Sequence, residues 1–360
     1  MAGLEHEEVI ASTGPRSGLP VIVAIHSTRL GPAVGGCRMW RYPDWRDGLE
    51  DALRLSAGMT RKVAVCGLAS GGGKTVVAVP EGVTLGLDRR ADALRDVGEV
   101  VASLSGRYAT GPDVGTTAAD MAIIGEHTEH VFCLPPERGG SGDPSPHTAN
   151  GVVAALRAAC SRTFGSSDLG GRVFAVSGLG SVGGHVARQL AAAGASLVLS
   201  DIAAEKKDLA RELRAAWADP DEILTAEADV LIPAALGGVL TRDIVPRLRC
   251  AAVVGPANNQ LAEPRVADLL HERGIIWVPD YVASAGGVIY AIGVELRHET
   301  RASALAGVRA IEETVAQILD VSQQTGRTPA DAAQELVHRR LSGAHQVRVS
   351  PSARAGACPG

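Results

Sequence analysis

Hydrophobic positions along the chain fall into two regimes that meet near residue 140. In the first, VIVAI (21–25) and TVVAV (75–79) are short continuous apolar runs and predict buried strands. DGLEDALRLSAGM (47–59) instead places Leu49, Ala52, Leu53, Ser56 and Met59 at helical spacing. KVAVCG (62–67) reads as a return to strand, ADALRDVGEVVASL (91–104) as a helix, and a short strand ends at Thr110. PPERGGSGDPSPH (135–147) then concentrates Pro, Gly and Ser and predicts a linker.

The second regime beats regularly. RVFAVSG (172–178) reads as strand, 181–194 as helix, SLVLSD (196–201) as strand and 203–217 as helix. DVLIPAA (229–235), AAVVG (251–255) and IIWVPD (275–280) add apolar strands separated by helical patterns. Strands this apolar, alternating with helices, predict a parallel sheet covered on both faces. A long helical stretch runs from 284 to 322, DAAQELVHRRL (331–341) is a last amphipathic helix, and the end of the chain has no period. The reading is an α/β protein of two domains. A mixed α/β domain spans 1–139 and a dinucleotide-binding domain 140–322. A C-terminal helix spans 323–343 and a flexible tail 344–360.

Composition narrows the function classes. A length of 360 residues suits two domains at roughly 100–200 residues each. Aromatic residues make up 3% against 43 glycines, which argues against a protein that stacks bases on aromatic rings. The net charge of −5 offers no basic footprint for nucleic acid or acidic lipid. No run reaches the roughly 18 apolar residues of a membrane span, and MAGLEHEEVI is acidic without an apolar signal core, so a cytoplasmic protein is expected. Cys37, Cys66, Cys133, Cys160, Cys250 and Cys358 are widely spaced and predict free thiols. His127 and His130 form an HxxH pair with no third ligand nearby, so no metal is expected.

Gly178-Leu179-Gly180-Ser181-Val182-Gly183 is a GxGxxG motif, a weak signal alone in so glycine-rich a chain. Its setting makes it specific. A strand feeds it, a helix leaves it, and a second strand ends at Asp201, 18 residues after Gly183. The first glycine makes the tight turn, the second lets backbone approach a pyrophosphate, and the third lets helix and strand pack closely. Free N–H groups at the helix start would bind the phosphates. Asp201 would accept from the adenosine ribose hydroxyls and repel a 2′-phosphate, which predicts NAD rather than NADP.

GLASGGGKT (67–75) imitates a Walker loop but fails the test: GxxxxGK[ST] needs glycine at position 68, which is leucine. What remains is a lysine presented by a flexible glycine loop between two buried strands. Lys62 lies at the end of the preceding helix, and Asp113 sits in a strand-to-helix turn, where side chains commonly face a cleft. Two lysines and a carboxylate suit an amino acid substrate. One ammonium can hold the substrate carboxylate. The other, with its pKa lowered by burial and a cationic neighbour, can serve as a base. The carboxylate can receive the substrate ammonium and shuttle protons.

LGPAVGGCRMW (30–40), LEDALRLSAGMTRK (49–62), GLASGGGKTVV (67–77), DVGTTAADM (113–121), GDPSPHTANGV (142–152), GLGSVGG (178–184), NNQL (258–261) and PDYVASAGGV (279–288) occur in this order. Together they resemble the leucine/phenylalanine/valine dehydrogenases, within the glutamate dehydrogenase superfamily, over roughly residues 5–343. The resemblance implies a two-domain, NAD-dependent homo-oligomer (dimer or higher) whose last helix returns to the first domain. Lys74 matches the family's catalytic lysine, Asp113 the aspartate that assists proton transfer, and Lys62 the lysine that binds the substrate carboxylate. Gly35 and Gly36 match the glycine pair lining the substrate cleft, and Thr148 and Asn258 match residues beside the nicotinamide. Ser284 is a departure: the family's NAGG has asparagine there, and serine is shorter with one donor.

The reaction implied is reversible oxidative deamination of an apolar L-amino acid to the 2-oxo acid and ammonia. Hydride leaves the α-carbon for NAD, water activated by Lys74 adds to the iminium, and the carbinolamine collapses. The pocket positions implied by the resemblance are Val34, Gly111, Val288 and Ala291, all apolar. Val288 narrows the pocket and favours branched-chain substrates. Gly111 leaves room for a ring and favours phenylalanine or tryptophan. The branched-chain reading leads, and the other alternative is a non-catalytic NAD-binding protein that kept the fold. A γ-carboxylate would need a cationic partner where Val34 stands, which disfavours glutamate.

Overall fold

The computed structural model describes residues 5–349. The first half builds a five-stranded sheet from β1 (Glu8–Thr13), β2 (Pro20–Ser27), β3 (Ala33–Tyr42), β4 (Gly71–Pro80) and β5 (Tyr108–Pro112). Its order is β1-β2-β4-β3-β5. β1 with β2 and β2 with β4 are antiparallel, whereas β3 runs parallel to β4 and β5. Helix α1 (Trp45–Val65) packs Ala52 against Ile22, Ala24, Val76 and Ala78 on one face. Helices α2 (Leu87–Ser103) and α3 (Ala118–Ile124) cover the other, packing Leu94, Val97, Met121 and Ile124 on Val21, Val23, Ile25, Val77 and Val79.

Two expectations are corrected here. KVAVCG is not strand: α1 starts at a capping box made by Asp44 and Asp47, runs through Val65 and ends at Cys66. Its buried positions Gly48, Ala52, Ser56, Thr60 and Val63 keep helical spacing to the end. The GGGK segment, in turn, is the start of β4 rather than a flexible loop. Its glycines are there for closeness. A Cβ on Gly72 would stand 2.1 Å from the Thr60 nitrogen of α1, and one on Gly73 would stand 2.7 Å from the Tyr108 ring.

The second half begins with α4 (Ser145–Phe164) and builds a parallel sheet from β6 (Val173–Ser177), β7 (Ser196–Ser200), β8 (Ala216–Trp217), β9 (Val230–Pro233), β10 (Ala252–Val253) and β11 (Ile276–Trp277). Its order, β11-β10-β9-β6-β7-β8, is the doubly wound dinucleotide-binding arrangement. The helices are α5 (Ser181–Ala192), α6 (Lys207–Glu212), α7 (Arg265–Glu272), α8 (Asp280–Ala283), α9 (Gly286–Ala291), α10 (Arg301–Arg309), α11 (Ile311–Thr325) and α12 (Pro329–Val349). The α/β fold expected from the two hydrophobic regimes is thus present.

Three boundaries differ from the pattern. The helix expected over 203–217 stops at Glu212; Arg214 turns left-handed at φ +54°, and Ala216–Trp217 pairs with β7. The stretch 284–322 breaks at a π-helical turn, Ile292–Leu296, and at His298, whose φ is +52°. Helix α12 continues to Val349, into the segment expected to be a loose tail; residues 350–360 lie outside the described residues.

Side-chain hydrogen bonds join the halves at several places. The carboxylate of Glu295, on the π-helical turn, accepts from the backbone N–H of Cys133 (2.8 Å), Leu134 (3.1 Å) and Ser141 (2.9 Å), so both ends of the linker loop converge on one side chain. Arg340 of α12 donates to the carbonyls of Ala64 and Val65 at the end of α1. Among the described residues the cysteines are free thiols, Cys37, Cys133 and Cys160 buried and Cys66 and Cys250 partly so; Cys358 lies outside. Within the same residues no three His, Cys, Asp or Glu side chains gather as a metal site, and no helix is long and apolar enough to cross a membrane.

Candidate active site

Strand periodicity builds the first half of the site. Side chains alternate along a strand, so Val34, Gly36 and Arg38 of β3 share a face. β5 lies in register beside β3, pairing Gly36 with Gly111, and β4 brings Lys74 alongside. Lys74 is 5% exposed, and its Nζ donates to Asp113 Oδ2 at 2.6 Å. Asp113 stands in the turn just past β5, and its backbone N–H donates to the Thr116 hydroxyl at 3.0 Å. Burial alone would raise the Asp113 pKa, but the Lys74 and Arg38 charges outweigh it and hold the carboxyl at about 2. Gly36 leaves the space this pair needs: a Cβ there would stand 2.7 Å from Asp113 Cβ and 3.3 Å from Lys74 Nζ. A Cβ on Gly35 would collide with the Gly73 carbonyl, so that glycine serves the closeness of β3 and β4.

Lys62 completes the group from the last turn of α1. Its Nζ donates to Ser284 Oγ at 3.0 Å, which ties the first half to the turn between α8 and α9. Lost hydration pushes its pKa below the ordinary lysine value; the Asp280 charge opposes this, and Lys74 adds to it. Asp280 is a buried carboxylate that sequence reasoning missed. It accepts from the Gln260 backbone at 2.9 Å, and burial pushes its carboxyl up.

Three of the four apolar positions lie in or against the large core that runs through both halves. Val34 (1% exposed) and Ala291 (1%) are buried in it together with Phe132, and Val288 packs against it. Gly111 differs from expectation. The room left by its missing side chain is already filled, because a Cβ there would stand 2.3 Å from the Phe132 ring. Phe132 carries no local sequence signal for this contact; it lies beyond α3 and returns by pairing its backbone N–H with the Thr110 carbonyl at 2.9 Å.

At the carboxyl edge of the parallel sheet, each motif glycine meets a different demand. Gly178 has φ +104° and no room for a Cβ beside Ala235, and Gly183 has none beside the Gly178 carbonyl. Gly180 has nothing within 4 Å of where a side chain would stand, at the N-terminus of α5. That open ground beside free helical N–H groups fits a dinucleotide pyrophosphate. Leu179 is buried and anchors the turn, while Ser181 and Val182 start α5. Asp201 Oδ2 accepts from the Leu179 N–H at 2.6 Å and Oδ1 from the Ala203 N–H at 2.9 Å, so this carboxylate also fixes the glycine turn. Thr148, near the start of α4, donates to the Pro144 carbonyl at 3.1 Å and packs against Gly287; Asn258 is exposed in the loop after β10.

A mixed α/β half carrying two lysines and a carboxylate, joined to a doubly wound sheet with a GxGxxG turn, has the make-up of a two-domain dehydrogenase that uses a nicotinamide cofactor. Residues 6–130 match the family model for the Glu/Leu/Phe/Val dehydrogenase dimerisation domain, and residues 198–349 match that for Glutamate/Leucine/Phenylalanine/Valine dehydrogenase. The chain belongs to this family of amino acid dehydrogenases. It is 42% identical to a leucine dehydrogenase of Bacillus cereus, over 94% of this chain and 91% of that one. It is 39% identical to a phenylalanine dehydrogenase of Lysinibacillus sphaericus, over 94% and 89%. Among solved structures it is similar to the L-tryptophan dehydrogenase of Nostoc punctiforme, with a TM-score of 0.81, 34% identity, and coverage of 95% of this chain and 98% of that one.

Proposed function

We propose that the protein is a cytoplasmic, homo-oligomeric enzyme that converts branched-chain L-amino acids and NAD reversibly to 2-oxo acids, ammonia and NADH. The observation that carries the reading is the convergence of Lys62, Lys74 and Asp113 beside an apolar cluster. A bound nicotinamide supplies the acceptor for the hydride that leaves the substrate α-carbon. The chain's own groups do the rest. Lys62 holds the substrate carboxylate, with Ser284 in the place where the family has asparagine. Asp113 receives the ammonium. Lys74, in its neutral form, takes a proton from the water that adds to the iminium carbon, and Asp113 at 2.6 Å pairs with the ammonium so formed. The carbinolamine then releases ammonia. Oligomer formation is supported by the match of residues 6–130 to a dimerisation domain.

Substrate choice follows from the apolar lining, which would strip a charged side chain of water without a partner. Phe132 already occupies the room beside Gly111, which favours an aliphatic side chain over a ring. The similarity to the tryptophan and phenylalanine dehydrogenases supports the aromatic alternative. Following NADH formation at 340 nm with leucine, valine, phenylalanine and tryptophan decides between them. Leucine or valine should lead, by about 10–200-fold where the pocket excludes a ring. A clear aromatic preference would hand the assignment to the alternative. Turnover of none of the four would favour a specialised substrate or a non-catalytic protein.

Asp201 sets the choice of cofactor in this reading. A charge-assisted hydrogen bond is worth about 1.5–3 kcal/mol, so Asp201→Ala should lower kcat/KM for NAD about 10- to 100-fold. The bias against NADP should relax at the same time. The loss for NAD includes loosening of the turn at Leu179. Equal use of NAD and NADP by the unaltered protein would overturn the assignment.

A further inference from the structure

Asp113 is held by two cations. Lys74 donates to its Oδ2 at 2.6 Å, and Arg38 Nε donates to the same oxygen at 3.0 Å. Arg38 is itself gripped from behind: its other nitrogen donates to Asp51 Oδ2 at 2.7 Å, and the Tyr42 hydroxyl donates to that oxygen at 2.8 Å. Asp51 also pairs with Arg54. These partners lie on β3 and α1, two rigid elements, and Arg38 and Asp51 are 19% and 13% exposed. A carboxylate meant to meet a substrate ammonium must keep one orientation. A single lysine on a flexible stem cannot impose that, whereas a planar guanidinium fixed at both ends can.

We infer that Arg38 is a positioning residue for the reaction, holding the Asp113 carboxylate turned toward Lys74, with Asp51 and Tyr42 bracing the guanidinium. The inference rests on the reading of Lys74 and Asp113 as the reacting pair. The charged and titratable groups that act on Asp113 come from every element around it: Arg38 and Cys37 of β3, Lys74 of β4, Tyr108 of β5 and Lys62 of α1. Among the described residues, the cations that touch the carboxylate are Arg38 and Lys74. Removing Arg38 takes one positive charge from Asp113, so its proton binds more tightly and the acidic limb of the activity profile must move to higher pH.

The test compares R38Q, R38K, D51N and K74A with the unaltered enzyme. Turnover is measured against pH on the best amino acid of the panel, NADH binding by fluorescence and folding by thermal unfolding. For R38Q, kcat should fall about 10- to 100-fold. Its acidic limb should move up in pH, its NADH affinity should be unchanged, and R38K should recover part of both effects. D51N, which unbraces the guanidinium and leaves its charge in place, should also lower kcat at unchanged NADH affinity, by less, and carries the test if R38Q does not fold. A pH profile for R38Q that superimposes on that of the unaltered enzyme, or an undiminished kcat for D51N, overturns the inference. So does a loss of kcat that arrives only with lost NADH affinity and no shift of the limb. Undiminished turnover by K74A would instead remove the reading beneath it.

Discussion

Lys74→Ala should lower kcat about 10²–10⁴-fold while leaving NADH affinity unchanged. The lysine is 5% exposed and in contact with Asp113, so little water can reach its place to take over proton transfer. The cofactor turn at Gly178–Gly183 is built on the other sheet, from β6 and α5, and touches none of the atoms removed. Arg38 continues to hold Asp113, so the remaining carboxylate keeps a cation and the fold should survive the change. Turnover on the best substrate and NADH fluorescence titration check the two halves of the expectation. A variant within a few-fold of normal kcat would show that another group moves the proton. A variant that loses NADH binding as well would show that Lys74 supports the cleft as a whole.

The features of the site that were legible in the sequence are those whose causes are local. The GxGxxG turn is local: Gly178 needs its left-handed backbone and Gly183 its closeness to a residue five positions back. Asp201 is local to the end of the next strand. The alternation that puts Val34, Gly36 and Arg38 on one face is also visible in the sequence, although its partner across the sheet is not. What the pattern misread was decided by distant packing. KVAVCG is a short apolar run that suits strand or helix equally, and only burial of Val63, Ala64 and Val65 in the core shared with α4 and α12 selects helix. The GGGK glycines suggested a loop, yet they exist because Thr60 and Tyr108 press on β4. Gly111 suggested free space until Phe132, brought over by a separate strand-like pairing, filled it. Asp280 beside Lys62, and Glu295 on the linker, join residues 154 or more positions apart, beyond the reach of any local spacing rule.

Lys62→Met should raise KM for the amino acid, with kcat/KM falling roughly 30- to 4,000-fold. That range follows from the 2–5 kcal/mol lost, in rough terms, when one partner of an enclosed, hydrogen-bonded charge pair is truncated. Methionine keeps the length of the stem, so α1 retains its packing and the loss falls on the charge. In the proposed reading the effect is specific to binding. Lys62 Nζ meets Ser284 and feels Asp280, whereas Lys74 is the lysine in contact with Asp113. The unaltered enzyme should also show a signature in pH. Lost hydration holds Lys62 below the ordinary lysine value, so its ammonium is given up earlier than a surface lysine's as pH rises. KM for the amino acid should therefore climb on the alkaline side in the unaltered enzyme, and that climb should be missing from the methionine variant. A loss confined to kcat with KM unmoved would show that Lys62 acts on the chemical step and that the substrate carboxylate is held elsewhere.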